Sequence, residues 1–462
     1  MEAQSRYTIW LWVILLAGLA LRLLHAATQP TLGSFIHAEG DSGWYLAVGW
    51  GFFSGQEHGW IRNIPFTNAS IPTPPAYIIF VGVFQQFLGE HETAIVIRLL
   101  QCLASIATAY LTFRIGSLLG GPRAGLAGAA LAAFHPALIF EPAEITTETL
   151  YIFFLACGFW LYLEYYVAAA CAPVGSRLSA RAAIALTAIA FALATLTRAV
   201  AVLFPLGLAA HILLLRRRRL TGAWRGHVTL LLTIYFAILS TWTIYNLALW
   251  DRFVFVSDRL LPAIWRGLET EDGTPQQNDA LLLAGEEADV PEGCEIDCGY
   301  HHPPELYLER IGEIIAGDGA SLIALRVREL AYSLLQPHGT TRLGSVSVRD
   351  AAQDWLGGNR ALPDLLAIMR IEGFALKSLT WLFHLGGIGL GLLGMILSRQ
   401  RWPIAAPLMG FALYTVLAHT VVLALPRYLF AIEVVWLIFA GCALAAIYER
   451  WRRRLGRETA EA

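Results

Sequence analysis

The chain has 462 residues, of which 56% are hydrophobic and only 15% charged, and its mean hydropathy is +0.56. Long stretches almost free of charge exclude a soluble multidomain protein and indicate a polytopic membrane protein. The formal net charge of −2 averages basic turns with one acidic loop, and no basic patch suggests nucleic acid as a partner.

The first apolar run, Ile9 to Leu24, has no AxA-like cleavage site and carries Arg22 late, so it reads as a retained span rather than a signal peptide. With Arg6 on the cytoplasmic side, this span delivers residues 28–92 outside. Residues 37–45, HAEGDSGWY, then bring Glu39 and Asp41 to the water boundary, with Gly40 and Gly43 free to turn the backbone and Trp44 and Tyr45 as headgroup-level rings. A solvated loop acid beside aromatic anchors is the plain alternative. In the same loop Pro75 to Leu88 is apolar but reaches only about 21 Å as a helix, against a hydrocarbon core of about 30 Å. It is expected to lie in the interface or to dip in and return.

Further runs at about 94–116, 124–140 and 149–167 alternate sides, with Arg114 and Arg123 inside and FHPALIFEPAEITTETLY outside. The run 182–215 is too long for one helix and holds Arg198 in its middle, so two spans are expected to meet outside near Thr197 and Arg198. The run Arg216 to Arg219 marks the next inner turn. A span at about 228–249 leads to an external segment, 251–370, within which Leu322 to Leu335 is expected to be an interfacial amphipathic helix. Three last spans begin near 374, 403 and 429 and end in the basic ERWRRRLGR, with PRY at 426–428 outside. The expected organisation is about ten transmembrane helices in an all-α chain. Residues 1–250 form a transmembrane catalytic module, 251–370 an extracytoplasmic segment, and 371–462 the last helices and a cytoplasmic tail.

Cys102, Cys157 and Cys442 fall in apolar runs as small hydrophobes. Cys294 and Cys298, followed by His301 and His302, lie in the polar external loop. A disulfide fits them better than zinc, whose common ligand spacings differ.

This topology gathers Glu39, Asp41, His58, Glu141, Glu144, Glu148, Arg198, Arg427 and Tyr428 on one face. Ionisable groups at bilayer depth are costly and usually face a protein cavity. Arginines there suit a phosphate, which their planar guanidinium can bind through two oxygens, and a facing carboxylate suits proton abstraction from a hydroxyl. The plain readings are a snorkelling Arg198, glutamates favoured by a helix dipole, and a helix-end His135.

The ordered set GDSGWY, PTPPAY, FHP followed by TETLY, LTRAVAVLFP and PRY resembles the C-type membrane glycosyltransferases. Within them it is similar to glycosyltransferase family 39 and the bacterial relatives of protein O-mannosyltransferases and of the aminoarabinose transferase of lipid A. The resemblance implies an extracytoplasmic cavity in the inner membrane and an inverting transfer from a polyprenyl-phosphate sugar to a lipid, glycan or protein acceptor. It implies Asp41 as general base, Glu148 as the second acid, and Arg198 and Arg427 near the lipid phosphate. From their place on the same face, Glu39, Tyr45, His58 and Tyr428 are expected to complete the substrate-binding set. Two departures stand out: Ser42 replaces a second acid that many relatives have after the Asp, and Thr73 replaces their Lys or His before the two prolines. No cofactor or divalent metal is required, since cationic side chains can carry that duty. The main rival reading is a transporter or flippase for a lipid-linked or anionic solute. A noncatalytic scaffold is the third.

Overall fold

The computed structural model describes residues 2–29, 41–54, 73–171, 178–216, 223–268, 304–343, 346–358 and 360–461. These residues are helical nearly throughout and contain no strand, as expected where lipid leaves backbone groups no partner outside the chain. In chain order the first eight helices are α1 (Glu2–Thr28), α2 (Asp41–Ser54), α3 (Pro75–Gln85), α4 (Glu90–Gly120), α5 (Pro122–Phe134), α6 (Pro136–Phe140), α7 (Glu148–Trp160) and α8 (Ala169–Cys171). Then come α9 (Ala180–Thr197), α10 (Phe204–Arg216), α11 (Trp224–Trp250), α12 (Leu260–Leu268), α13 (Pro304–Leu335), α14 (Val348–Gly357) and α15 (Leu362–Ile368). The last four are α16 (Phe374–Leu397), α17 (Trp402–Val421), α18 (Pro426–Leu429) and α19 (Ala431–Glu461).

Among the described residues eight apolar stretches are long enough to cross a membrane, and nine when the pair Pro122–Phe134 and Pro136–Ala143, bent by 61°, counts as one span. One of the eight, Phe374–Val421, contains both α16 and α17 around a tight turn at Ser398–Arg401. Divided there, the helices coincide with the ten apolar runs marked in the sequence.

Sequence chemistry sets the breaks. Gly121 ends α4 at φ 83°, its N–H donating to Ser117 O, and Pro122 opens α5, the Gly-then-Pro order that stops one helix and starts the next. His135 is extended because Pro136 follows it. Between α9 and α10, Arg198 is extended at φ −146° and ψ 122°, which is the junction expected there.

Three local expectations change. Asp41 is the first residue of α2, and Gly43 lies inside that helix, so no glycine turn follows the acid. Trp44 and Tyr45 pack against the core, and the Tyr45 ring meets Tyr77 edge-on at 4.8 Å. The helix expected at Leu322–Leu335 is the end of the 32-residue α13, and its Arg326 and Glu329 are buried. Helix α3, expected to lie in the interface or to dip in and return, is too short to span, as expected, and buries Tyr77, Ile78 and Val81 completely against the protein. Cys102 and Cys442 are buried as expected, and Cys157 is half-buried. Cys294 and Cys298 lie outside the described residues.

Buried polar groups fasten the bundle. Arg22 is fully buried and donates to Ser105 Oγ at 2.8 Å, Gly18 O at 2.9 Å, Ala133 O at 2.7 Å and Ala132 O at 3.1 Å. It ties α1 to the carbonyls that α5 leaves open at its bend. Helix α16 lies on α19 through Gly387, Gly391 and Gly394, and a Cβ on Gly394 would fall 1.8 Å from Phe439 O. Small residues at such crossings let helix backbones touch without side chains between them. Gly394→Val is expected to force α16 off α19 and to lower stability by about 1–3 kcal/mol, read as a lower melting temperature in detergent. An unchanged melting temperature would contradict this approach.

Candidate functional site

The segment Glu141–Glu148, one turn of 3-10 helix followed by irregular chain up to the start of α7, is deeply buried, so its polar groups must find partners within the protein. Helix α4 supplies two of them. Arg98 Nε donates to Ala143 O at 2.8 Å, and Gln101 Nε2 donates to Pro142 O at 3.0 Å and to Glu144 O at 2.5 Å. Tyr77 on α3 fixes the Gln101 amide by donating to its Oε1 at 2.8 Å. The N–H of Ile145 donates to Ser42 Oγ at 3.3 Å, so the serine that stands in place of a second acid ties the start of α2 to this segment.

The next residues turn their side chains to charged partners. Thr146 donates to Glu141 Oε1 at 2.6 Å, and His338 Nε2 lies 2.7 Å from Glu141 Oε2. Thr147 donates to Glu148 Oε2 at 3.2 Å and accepts from Arg198 Nη1 at 3.1 Å. Glu148, the first residue of α7 and only 3% exposed, receives Arg198 Nη1 at 2.5 Å and Arg427 Nε at 3.0 Å on the same oxygen, Oε1. Arg427 also pairs through Nη1 with Asp41. The ring of Tyr428 lies 5.2 Å from the Arg198 guanidinium and 5.8 Å from that of Arg427, distances at which cations are attracted to a ring face.

Folding therefore brings Asp41, Tyr45, Glu148, Arg198, Arg427 and Tyr428 together, as two carboxylates and two guanidiniums lined by phenols. Burial, reinforced by Glu148, pushes the Tyr45 phenol up to about 12, so it stays protonated and able to donate. Burial opposes the charge on Arg427, but Glu148 and Asp41 outweigh it and hold the guanidinium above its ordinary value. Glu39 and His58 lie outside the described residues. Glu141 opens a single turn of 3-10 helix and is bonded to His338, Glu144 is extended at the end of that turn, and Glu148 opens α7. The sequence reading missed His338, because that residue follows α13 in a stretch with no distinguishing pattern. Among the described residues no group of three or more His, Cys, Asp or Glu side chains is arranged to hold a metal ion.

Helices α12 and α13 hold the stretch that leads to Arg427. Arg326 on α13 donates to Gly267 O at 2.6 Å, His419 O at 3.2 Å, Thr420 O at 3.3 Å and Val422 O, and pairs with Glu329. Ser333 donates to Ala424 O at 2.8 Å, and Leu423 N donates to Ala263 O at 3.0 Å. A second buried cluster lies beyond α18, where Glu433 pairs with His384 at 2.8 Å. His135 Nε2 comes within 3.1 Å of Glu433 Oε1 but off the line of a hydrogen bond.

No protein-family model matches the chain, and no curated protein matches its sequence. Among solved structures it is similar to the oligosaccharyltransferase AglB from Archaeoglobus fulgidus in complex with an inhibitory peptide and a dolichol-phosphate. That alignment has a TM-score of 0.52 and 14% identity over 99% of this chain and 52% of that one. The apo form of the Archaeoglobus fulgidus oligosaccharyltransferase gives a TM-score of 0.50 and 13% identity, over 98% of this chain and 52% of that one. ArnT from Cupriavidus metallidurans bound to undecaprenyl phosphate aligns over 94% of this chain and 78% of that one at 14% identity, with a TM-score of 0.40 too low to add to the fold assignment. The likeness to AglB shows the fold, an all-α polytopic architecture shared with the archaeal oligosaccharyltransferase. The chain spans about half the length of the archaeal oligosaccharyltransferase.

Glu148→Gln is expected to leave Arg198 and Arg427 facing each other without their shared charge, at a cost of about 3–5 kcal/mol. Asp41→Asn is expected to cost less than about 1 kcal/mol, because Asp41 is 47% and Arg427 33% exposed and solvent screens their pairing. Thermal unfolding of both variants checks the contrast, and equal losses would contradict it.

Proposed function

We propose that this protein is a glycosyltransferase that moves a sugar from a polyprenyl-phosphate donor to an acceptor hydroxyl, with inversion, on the extracytoplasmic side of the inner membrane. The observation that carries this reading is the meeting of Arg198 and Arg427, 229 positions apart in sequence, on the single buried carboxylate of Glu148, with the half-exposed Asp41 also paired to Arg427. Two guanidiniums at the end of a lipid-embedded bundle suit a phosphate carried on a lipid chain. AglB, whose fold this chain shares, was solved with a ligand of that class, a dolichol-phosphate.

In the reaction the acceptor oxygen attacks the anomeric carbon from the side opposite the phosphate. The bond from that carbon to the phosphate oxygen breaks, and its electron pair leaves with the lipid phosphate. Asp41 takes the hydroxyl proton, and its half-exposed carboxylate can be reached by an acceptor arriving from water. Arg198 and Arg427 stabilise the phosphate where negative charge grows, an effect strongest in a site that excludes water. Glu148 keeps both guanidiniums in place, and Tyr45 and Tyr428 wall the sugar-phosphate.

Incubation of the purified protein with a labelled polyprenyl-phosphate sugar and cell-envelope acceptor is expected to release polyprenyl phosphate. A transporter or flippase would bind or move the donor intact. Asp41→Asn is expected to lower transfer at least about 100-fold while leaving the melting temperature and donor binding in place. Full transfer by that variant would remove Asp41 as the base. Mass spectrometry of the envelope with and without the protein then identifies the sugar and its acceptor.

A further inference from the structure

His338 lies where the two charged segments of the site meet. Its Nε2 is 2.7 Å from Glu141 Oε2, and its ring centroid is 4.7 Å from that of Phe430, three residues beyond Arg427. Glu141 is itself buried and held by Thr146, the neighbour of the Thr147 that contacts Arg198 and Glu148. Through Glu141 and the neighbouring Thr146 and Thr147, His338 is thus linked to the carboxylate that Arg198 and Arg427 share.

The two ring nitrogens of His338 are not equivalent. An ionised carboxylate only accepts hydrogen bonds, so Nε2 carries the proton shared with Glu141. Nδ1 has no partner among the described residues. His384 differs, since both its nitrogens are engaged, one by Glu433 and the other by Leu334 O. A buried carboxylate that orients an imidazole and leaves its second nitrogen open is an arrangement for meeting a ligand, because packing alone does not require it.

We propose that His338 is a third binding residue for the phosphate of the lipid-linked ligand, held in orientation by Glu141 and donating from Nδ1. The proposal rests on the reading above that this site holds such a phosphate. Its physical basis is donor supply. Asp41 and Glu148 already occupy Arg198 and Arg427, so the ring nitrogen that Glu141 leaves open offers an arriving phosphate a further donor, and an imidazolium can donate from both nitrogens at once, one toward each anion.

The test measures binding of undecaprenyl phosphate to the full-length protein in detergent, together with the phosphorus NMR resonance of the bound ligand. His338→Gln, which retains a donor toward Glu141, is expected to weaken binding at least about tenfold and to shift the bound phosphorus resonance. Glu141→Gln keeps the shape of its pocket but loosens the ring, so it is expected to give a smaller loss and a shift in the same direction. Arg427→Gln serves as reference for the site. If His338→Gln and Glu141→Gln bind like wild type with an unmoved resonance while Arg427→Gln binds poorly, His338 is structural and the proposal fails with the site reading intact. If wild type and Arg427→Gln are equally indifferent to undecaprenyl phosphate, the site reading fails and takes this proposal with it. Should His338→Gln not fold, the Glu141→Gln resonance decides.

Discussion

Everything at the candidate site depends on keeping the Glu148 carboxylate ionised where almost no water reaches it. An isolated buried carboxylate carries a desolvation cost of several kcal/mol, about what a close cation in good geometry can return. Here two cations share one oxygen of Glu148, and Thr147 adds a neutral donor to the other. The need for charge compensation draws three remote parts of the chain to one point: the start of α7, the α9–α10 junction and the short helix α18. The same demand explains why Arg198 is the residue at which the span pair breaks. An extended backbone there lets its side chain cross to Glu148.

The segment before Glu148 shows the complementary constraint on the backbone. Irregular chain at membrane depth is tolerated only where protein satisfies its carbonyls and amides. Arg98, Gln101 and Ser42 do this for Ala143, Pro142, Glu144 and Ile145. An ordinary helix would have satisfied these groups internally, but it would not have turned Thr146 and Thr147 toward two different charged partners.

Much of the fold and part of the site were legible in the sequence, for reasons tied to particular residues. The spans follow from apolar length and from basic turns, so Arg123 and Arg399 fall next to the breaks, whereas Arg114, expected at a span end, lies inside α4, which continues to Gly120. Glu148, Arg198 and Arg427 stood out because charge among apolar residues is rare and has few explanations. Asp41 stood out as an acid beside aromatic rings, but the flanking glycines suggested a turn and hid the helix it opens. Arg326 and Glu329 looked like the wet face of an amphipathic helix. Nothing local reveals that carbonyls of residues 419–422 are waiting for that guanidinium. His338 carries no signal in its own neighbourhood and becomes visible only once Glu141, 197 positions away, is set beside it.

The grip of α12 and α13 on residues 419–424 bears on how the molecule can be divided. What reads in sequence as an appendage between transmembrane blocks is, in the folded protein, part of the wall that frames Arg427. A minimal membrane core made by excising it would strip partners from at least four consecutive or near-consecutive peptide groups and release the strap that carries an arginine of the site. Helices α12 and α13 and the bundle are therefore one architectural unit, and remodelling the first would also re-aim the second.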